Sequence, residues 1–162
     1  MKTNNFKKGN TVRTFKTIAE LAACVGQDIG VSDWITISQE QVNQFAEATG
    51  DHQWIHVDVE RAKAGPFGAP IAHGFLTLSL LPKLMANTFD VQEKGMGVNY
   101  GLNKVRFTSP AHVGCRLRAK VKLLKVEDIE RNGKQMTWGV TIEREGSNKP
   151  VCVAESIGRS YP

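Results

Sequence analysis

From residue 73 to 89 the chain reads HGFLTLSLLPKLMANTF. Phe75, Leu76, Leu78, Leu80, Leu81, Leu84, Met85 and Phe89 leave almost no polar face. A helix apolar nearly all round must be buried on most sides. At about 1.5 Å per residue it would run roughly 25 Å, the span of a small domain. Pro82 should bend it, because the proline ring clashes with the carbonyl of Leu78. After Gly95 the apolar period changes to two. Leu117, Ala119, Val121 and Leu123 alternate with Arg118, Lys120 and Lys122, which predicts a half-buried strand. The doublet Leu123-Leu124 interrupts that alternation and predicts a bulge. Asn132-Gly133 predicts a hairpin turn with positive φ at both residues. Trp138, Val140 and Ile142 alternate again, VCVAESIG at 151–158 reads as a final strand, and NYGLNKVRF at 99–107 as a strand entering the sheet.

The first half is less regular. TIAELAAC at 17–24 predicts a short helix, and the weak alternation of VSDWITIS at 31–38 predicts a strand. Ser38 precedes Gln41 by three residues, the spacing of a capping box. The helix it opens, QEQVNQFAEAT, places Val42, Phe45, Ala46 and Thr49 on one face. Gly50 should end it in the left-handed conformation that glycine adopts without strain. No internal repeat, low-complexity block or linker divides the chain, so residues 1–162 are expected to form one domain, of α+β class. An antiparallel meander following one very apolar helix is satisfied by a long curved sheet wrapped around that helix. This is the hot-dog architecture.

Composition removes several classes of function. No apolar run reaches the roughly 18 residues that a membrane span needs. The basic N-terminus MKTNNFKKGN has no apolar stretch and small-residue cleavage site after it, so no signal peptide is expected and the cytoplasm is the default compartment. Cys24, Cys115 and Cys152 are far apart, odd in number and outside any C-x-x-C pair, as buried free thiols would be. The 21 basic and 16 acidic side chains give a net charge of +5, but the excess is spread along the chain. Lys120, Lys122 and Lys125 read as the wet face of a strand. Neither an arginine-rich tract nor an RNA-binding aromatic motif is present, so nucleic acid is not an expected partner.

Candidate chemistry concentrates in Thr49–His56, TGDHQWIH, which spends two of the four histidines beside an aspartate and a glycine. A metal site, an acid–base pair, a helix cap and a plain polar loop all compete here. Asp51 and His56 are five apart, about 140° around a helix of 3.6 residues per turn, so one continuous helix would separate them. With Gly50 ending the helix, residues 51–56 are expected as an irregular loop, in which both side chains can turn to one point. His52 and His56 have the spacing of a helical metal pair. That motif needs a helix and a third ligand, and neither is apparent, so no metal is expected. Asp58 either orients this loop or is simply exposed.

The longer segment FAEATGDHQWIHVDVERA, residues 45–62, resembles the hydratase motif of the MaoC-like, (R)-specific enoyl-CoA hydratases. In that motif an aromatic residue leads into a small residue, Gly-Asp, an Asn-Pro pair, an aliphatic residue, a His and a downstream Ala. Phe45, Thr49, Gly50, Asp51, Ile55, His56 and Ala62 match it in type and spacing. Gln53-Trp54 stands where Asn-Pro is usual, which is similar to the nodulation-protein-N-like branch. GAPIAHGFLTLSLL, residues 68–81, is similar to the family's segment entering the central helix, and the resemblance extends over about residues 30–160.

The resemblance implies hydration of a trans-2-enoyl-CoA, or dehydration of an (R)-3-hydroxyacyl-CoA, without metal or redox cofactor. Asp51 and His56 would be the acid–base pair, and the backbone N–H of Gly74 the donor to the thioester oxyanion. The first helical N–H groups lack internal partners and suit that role. Gly50, Gln53, His73, Asn103 and Arg106 are candidates for binding the acyl-CoA. His73 can instead cap the helix or orient the loop. Asn103, Lys104 and Arg106 can instead be solvated strand residues, and His112 reads as a turn residue. Hot-dog hydratases work as dimers or double-domain chains, so a homodimer or higher even oligomer is implied. The rival readings are a hot-dog thioesterase, a non-catalytic acyl-CoA-binding protein and, last, a nucleic-acid-binding module.

Overall fold

The computed structural model describes residues 11–93 and 95–162. In chain order, β1 (Arg13–Phe15) and α1 (Ile18–Ala22) precede two short strands, β2 (Asp28–Val31) and β3 (Ile35–Thr36). Five helices follow: α2 (Gln39–Thr49), α3 (Trp54–Val57), α4 (Val59–Lys63), α5 (Gly74–Ser79) and α6 (Leu81–Ala86). After β4 (Phe89–Val91) come the four long strands β5 (Met96–Phe107), β6 (Arg116–Ile129), β7 (Gly133–Arg144) and β8 (Cys152–Tyr161). The large sheet is antiparallel with strand order β2-β6-β7-β8-β5, and β3 also pairs with β6. β1 and β4 form a separate parallel pair.

The apolar helix packs on that sheet. Leu76, Leu80, Leu81 and Leu84 from α5 and α6 meet Leu117, Ala119, Val121 and Leu123 of β6 and Val140 and Ile142 of β7. Leu84 is fully buried. This is the hot-dog arrangement, built where the sequence periods place it.

Four local details differ from the sequence expectation. The helix predicted over 73–89 breaks at Leu80 and ends at Ala86. Pro82 lies in the first turn of α6, where a missing N–H leaves no internal bond unmade. Phe89 therefore belongs to β4, and its ring stacks on Trp138 at 4.8 Å. The single strand expected over 31–38 is two. Ser32 pairs with Ala119 through both main chain and hydroxyl, each at 2.8 Å. Trp34 bows out so that its ring lies under the guanidinium groups of Arg116 and Arg118.

The hairpin turn is also one residue earlier than expected. Arg131 and Asn132 carry the positive φ angles, and Gly133 already pairs with Ile129. Gly133 is small for another reason: a Cβ there would lie 2.8 Å from the Tyr161 ring. The fourth difference, in residues 51–56, belongs to the site. Other expectations hold. The ladder shifts register between Leu123 and Lys125, Ser38 and Gln41 form both bonds of a capping box, and Gly50 caps α2 with φ +79°.

Candidate active site

Helix α2 ends at Gly50, and the left-handed turn there throws Asp51 clear of the helix. The Asp51 carboxylate accepts from the Gln53 N–H at 3.3 Å and is 54% exposed. The expected irregular loop then lasts only to Gln53, because Trp54–Val57 form one turn of helix. His56 lies on that turn, and Asp51 lies before it. The two therefore converge without sharing a helix, which is how the five-residue spacing is accommodated.

The Gln53-Trp54 departure leaves the backbone as Asn-Pro would shape it. A residue before proline is confined to extended or polyproline geometry, and Gln53 sits at φ −56°, ψ 135°. Trp54 takes the first helical position, which proline favours. Its ring is anchored by its own neighbours: the Arg61 guanidinium lies 4.4 Å over it, and a Cβ on Gly65 would strike it at 2.8 Å.

His56 is only 6% exposed. Its Nδ1 is 2.6 Å from the carbonyl of Ile71. A carbonyl only accepts, so Nδ1 carries the hydrogen and Nε2 presents a lone pair. The side-chain amide of Gln39 donates to the His56 carbonyl at 2.8 Å, tying this turn to the start of α2. Burial pushes the imidazole below its usual value; His73 adds to that, and the Ile71 carbonyl and Asp51 oppose it. The unbound ring nitrogen is therefore a base at neutral pH.

That shift has a sign that can be measured. The unfolded chain takes up this proton near 6.5 and the folded chain only at lower pH. Stability from this group is thus fully present above 6.5 and declines as pH falls below it, toward the folded value. The acid limb of kcat/KM is likewise expected to have its midpoint below 6.5. A midpoint above 6.5 would remove the neutral, buried His56 from the chemistry.

His73, the residue before α5, completes the cluster; the sequence offered it as an acyl-CoA contact or as a residue that caps the helix or orients the loop, without placing it against His56. It is 2% exposed, stacks on His56 with ring centroids 3.9 Å apart, and its Nε2 is 2.9 Å from the Asp51 carbonyl. Asp51, His56 and His73 each offer a ligand-type atom, all within 4.8 Å of one another. The sequence reading found no third donor; the fold supplies one 22 residues from Asp51. One nitrogen of each ring is committed to a main-chain carbonyl, a contact that fixes the tautomer of a metal ligand and of a base alike.

Gly74 opens α5, where a helical N–H lacks an intrahelical partner. A Cβ on it would lie 2.7 Å from the Phe107 ring, so only glycine fits against this wall. Phe75 stands edge-on to Phe107 at 5.8 Å, making an exposed aromatic pair beside the turn.

The remaining candidates are spread along β5 and its surroundings. Asn103 donates to Glu155 at 2.6 Å, and Arg106, next to Phe107, donates to the Val105 carbonyl at 2.7 Å; both are exposed. Gly50 serves as the α2 cap and Gln53 as the residue before α3. Asp58 caps α4 through the Arg61 N–H. His112 bridges to Ile71 and contacts Arg144.

One helical turn beyond Gly74, Leu78, Pro82, Asn99, Leu102 and Ser156 line a cavity of about 340 Å³. It shares Pro82, Asn99 and Ser156 with a second cavity of about 410 Å³ that reaches Met85, Phe89 and Trp138. Among the described residues no helix is long and apolar enough to cross a membrane.

A family model described as the MaoC like domain matches residues 20–145. The chain belongs to the MaoC-like family. Within it, a Mycobacterium tuberculosis protein named 3-hydroxyacyl-thioester dehydratase Z is 58% identical over 148 residues, spanning 91% of this chain and 98% of that one. Nodulation protein N of Rhizobium meliloti is 44% identical over 144 residues, 87% of this chain and 89% of that one. Among solved structures, an R-hydratase from Pseudomonas aeruginosa has a TM-score of 0.67 at 25% identity, covering 91% of this chain and 86% of that one. The MaoC-like motif residues Phe45, Asp51 and His56 are those that the fold gathers around His73.

Proposed function

We propose that this MaoC-like chain is an (R)-specific enoyl-CoA hydratase, equally a 3-hydroxyacyl-CoA dehydratase, a hydro-lyase that works by acid–base activation of water. The observation that carries the reading is the convergence of an exposed carboxylate, Asp51, with a buried imidazole, His56, whose free nitrogen is unprotonated. Two acceptors side by side hold one water through its two hydrogens. As the water oxygen bonds C3 of the enoyl thioester, one hydrogen passes to the pair and the pair returns a proton to C2. Nothing else is consumed or released. Negative charge gathers meanwhile on the thioester oxygen, and the N–H of Gly74 is the donor assigned to it. A preorganised donor of this kind contributes about 3 kcal/mol.

The two linked cavities along α5, α6 and β5 are the assigned course of the acyl chain. Asn103 and Arg106, exposed on β5, are within the set assigned to the coenzyme. A second copy of the chain is assigned to the β5 edge.

The test is a spectrophotometric hydration assay across C4 to C16 trans-2-enoyl-CoAs, with chiral analysis of the product. Loss of enoyl absorbance with formation of (R)-3-hydroxyacyl-CoA is expected. Thiol release from a saturated acyl-CoA would instead make the protein a thioesterase, and binding without turnover a carrier. Dialysis against EDTA is expected to leave the rate unchanged, because water is activated by proton transfer alone. A rate lost to EDTA and restored by zinc would turn Asp51, His56 and His73 into a metal site.

A further inference from the structure

The His73 ring contacts both Asp51 and His56 and is itself buried. It is packed between Phe45 of α2, at 4.9 Å, and His56 of α3, at 3.9 Å. Its Nε2 lies 2.9 Å from the main-chain carbonyl of Asp51, and 4.0 Å from that residue's carboxylate. The carbonyl accepts, so Nε2–H donates to it. The other nitrogen, Nδ1, is buried with no hydrogen-bond partner among the described residues. A ring 2% exposed, with one nitrogen spent on the main chain and the other enclosed, reaches neither bulk water nor a thioester.

We propose that His73 is a positioning residue, which locks the Asp51 turn to the first turn of α5 and so fixes the acid–base pair relative to the Gly74 N–H. Three elements meet on this one side chain. The Nε2–H bond holds residues 51–53, which otherwise leave the capped end of α2 as exposed chain. Stacking sets the plane of His56, whose far edge is tied to Ile71. The main chain of His73 continues directly into Gly74 and α5. Reacting groups must be held to within about 0.5 Å for full effect. A single side chain that touches the base, carries the acid's carbonyl and precedes the oxyanion donor provides that constraint. It also accounts for the aromatic residue that begins the motif: Phe45 is the other wall of the His73 slot.

The inference rests on the hydratase reading for its kinetic arm, so the experiment has a second arm that does not. His73→Gln keeps an N–H donor near the position of Nε2; His73→Leu keeps bulk and removes the donor; His73→Asn has a donor too short to reach. For Leu and Asn, kcat is expected to fall about 10- to 100-fold, the scale of a lost orienting contact. KM should change by less than about threefold, since the loss lies in the transition state. Gln should recover most of that loss. On an Asp51→Asn background, Leu should add little, because residues acting through one another are not additive.

In the second arm, hydrogen exchange at the amides of residues 51–53 should be at least about tenfold faster in Leu and Asn than in wild type or Gln, as expected for a locally opened segment. Near-normal kcat in Leu, equal rates in Gln and Asn, or a full additional loss on the Asp51→Asn background would each overturn the proposal. If Leu does not fold, the contrast between Gln and Asn decides. If the wild-type protein hydrates no enoyl thioester, the hydratase reading falls, and the exchange arm alone judges the positioning.

Discussion

Asp51→Asn and His56→Ala are each expected to lower hydration by at least about two orders of magnitude, the scale of a lost acid–base group. Asn has the shape of Asp but cannot take a proton, and Asp51 is exposed on a turn, so that variant should melt close to wild type. His56 is buried and bonded to the Ile71 carbonyl. Its removal leaves that acceptor unpaired and should cost about 1–3 kcal/mol of stability, which lowers the melting temperature without unfolding the chain. The two changes separate chemistry from folding, because one is silent in stability and both are severe in rate. Combining them should cost little beyond either alone, as for residues that act as a unit. Either variant folded and near-normal in turnover would dissolve the pair.

How much of this site was readable in advance depends on how far each interaction reaches along the chain. Ser38, Gln41 and Gly50 act within a few residues, and the helix they bound runs as their chemistry dictates. The alternation of β6 and its interruption at Leu124 are equally local, and both appear in the ladder. Residues 31–38 failed as one strand because Ser32 answers to Ala119, which is 87 residues away. Gly133 was read as a turn glycine because Asn-Gly is a turn signal; its actual constraint is the Tyr161 ring. The parallel pairing of β1 with β4 has no local signal, since parallel partners lie far apart in sequence. His73 belongs to the same class. Its spacing from Asp51 and His56 carries no period, and only the return of the chain into α5 stacks it on His56. The residues at 49–56 left several readings open and the motif resemblance picked out Asp51 and His56 as a pair; that His73 stacks on His56 and bonds the Asp51 carbonyl is visible only in three dimensions.

The chain is expected to sediment at twice its 17.9 kDa, with substrate bound close to the subunit boundary. β5 is an edge strand of twelve residues that is exposed along nearly its whole length, on both faces. It carries Met96, Val98, Tyr100, Leu102 and Phe107 into solvent, with Phe75 of α5 beside them. A long exposed apolar edge is an invitation to uncontrolled pairing, and proteins cover such edges. Two copies related by a two-fold axis can pair β5 with β5 and continue the sheet, an isologous contact that closes on itself. The same edge contains Phe107, against which Gly74 is packed, so a partner strand laid along β5 would also complete the wall beside the N–H proposed as oxyanion donor. Tyr100→Asp with Leu102→Asp puts like charges from both copies into that seam and should yield monomer. Its turnover should drop by at least about 10²-fold, since a shift of about 1 Å at the Gly74 turn is enough for that and Leu102 also lines the cavity assigned to the acyl chain. Sedimentation equilibrium at micromolar protein, with activity measured on the same samples, is the check. A fully active species at the mass of one chain would refute both the pairing of β5 and the shared wall.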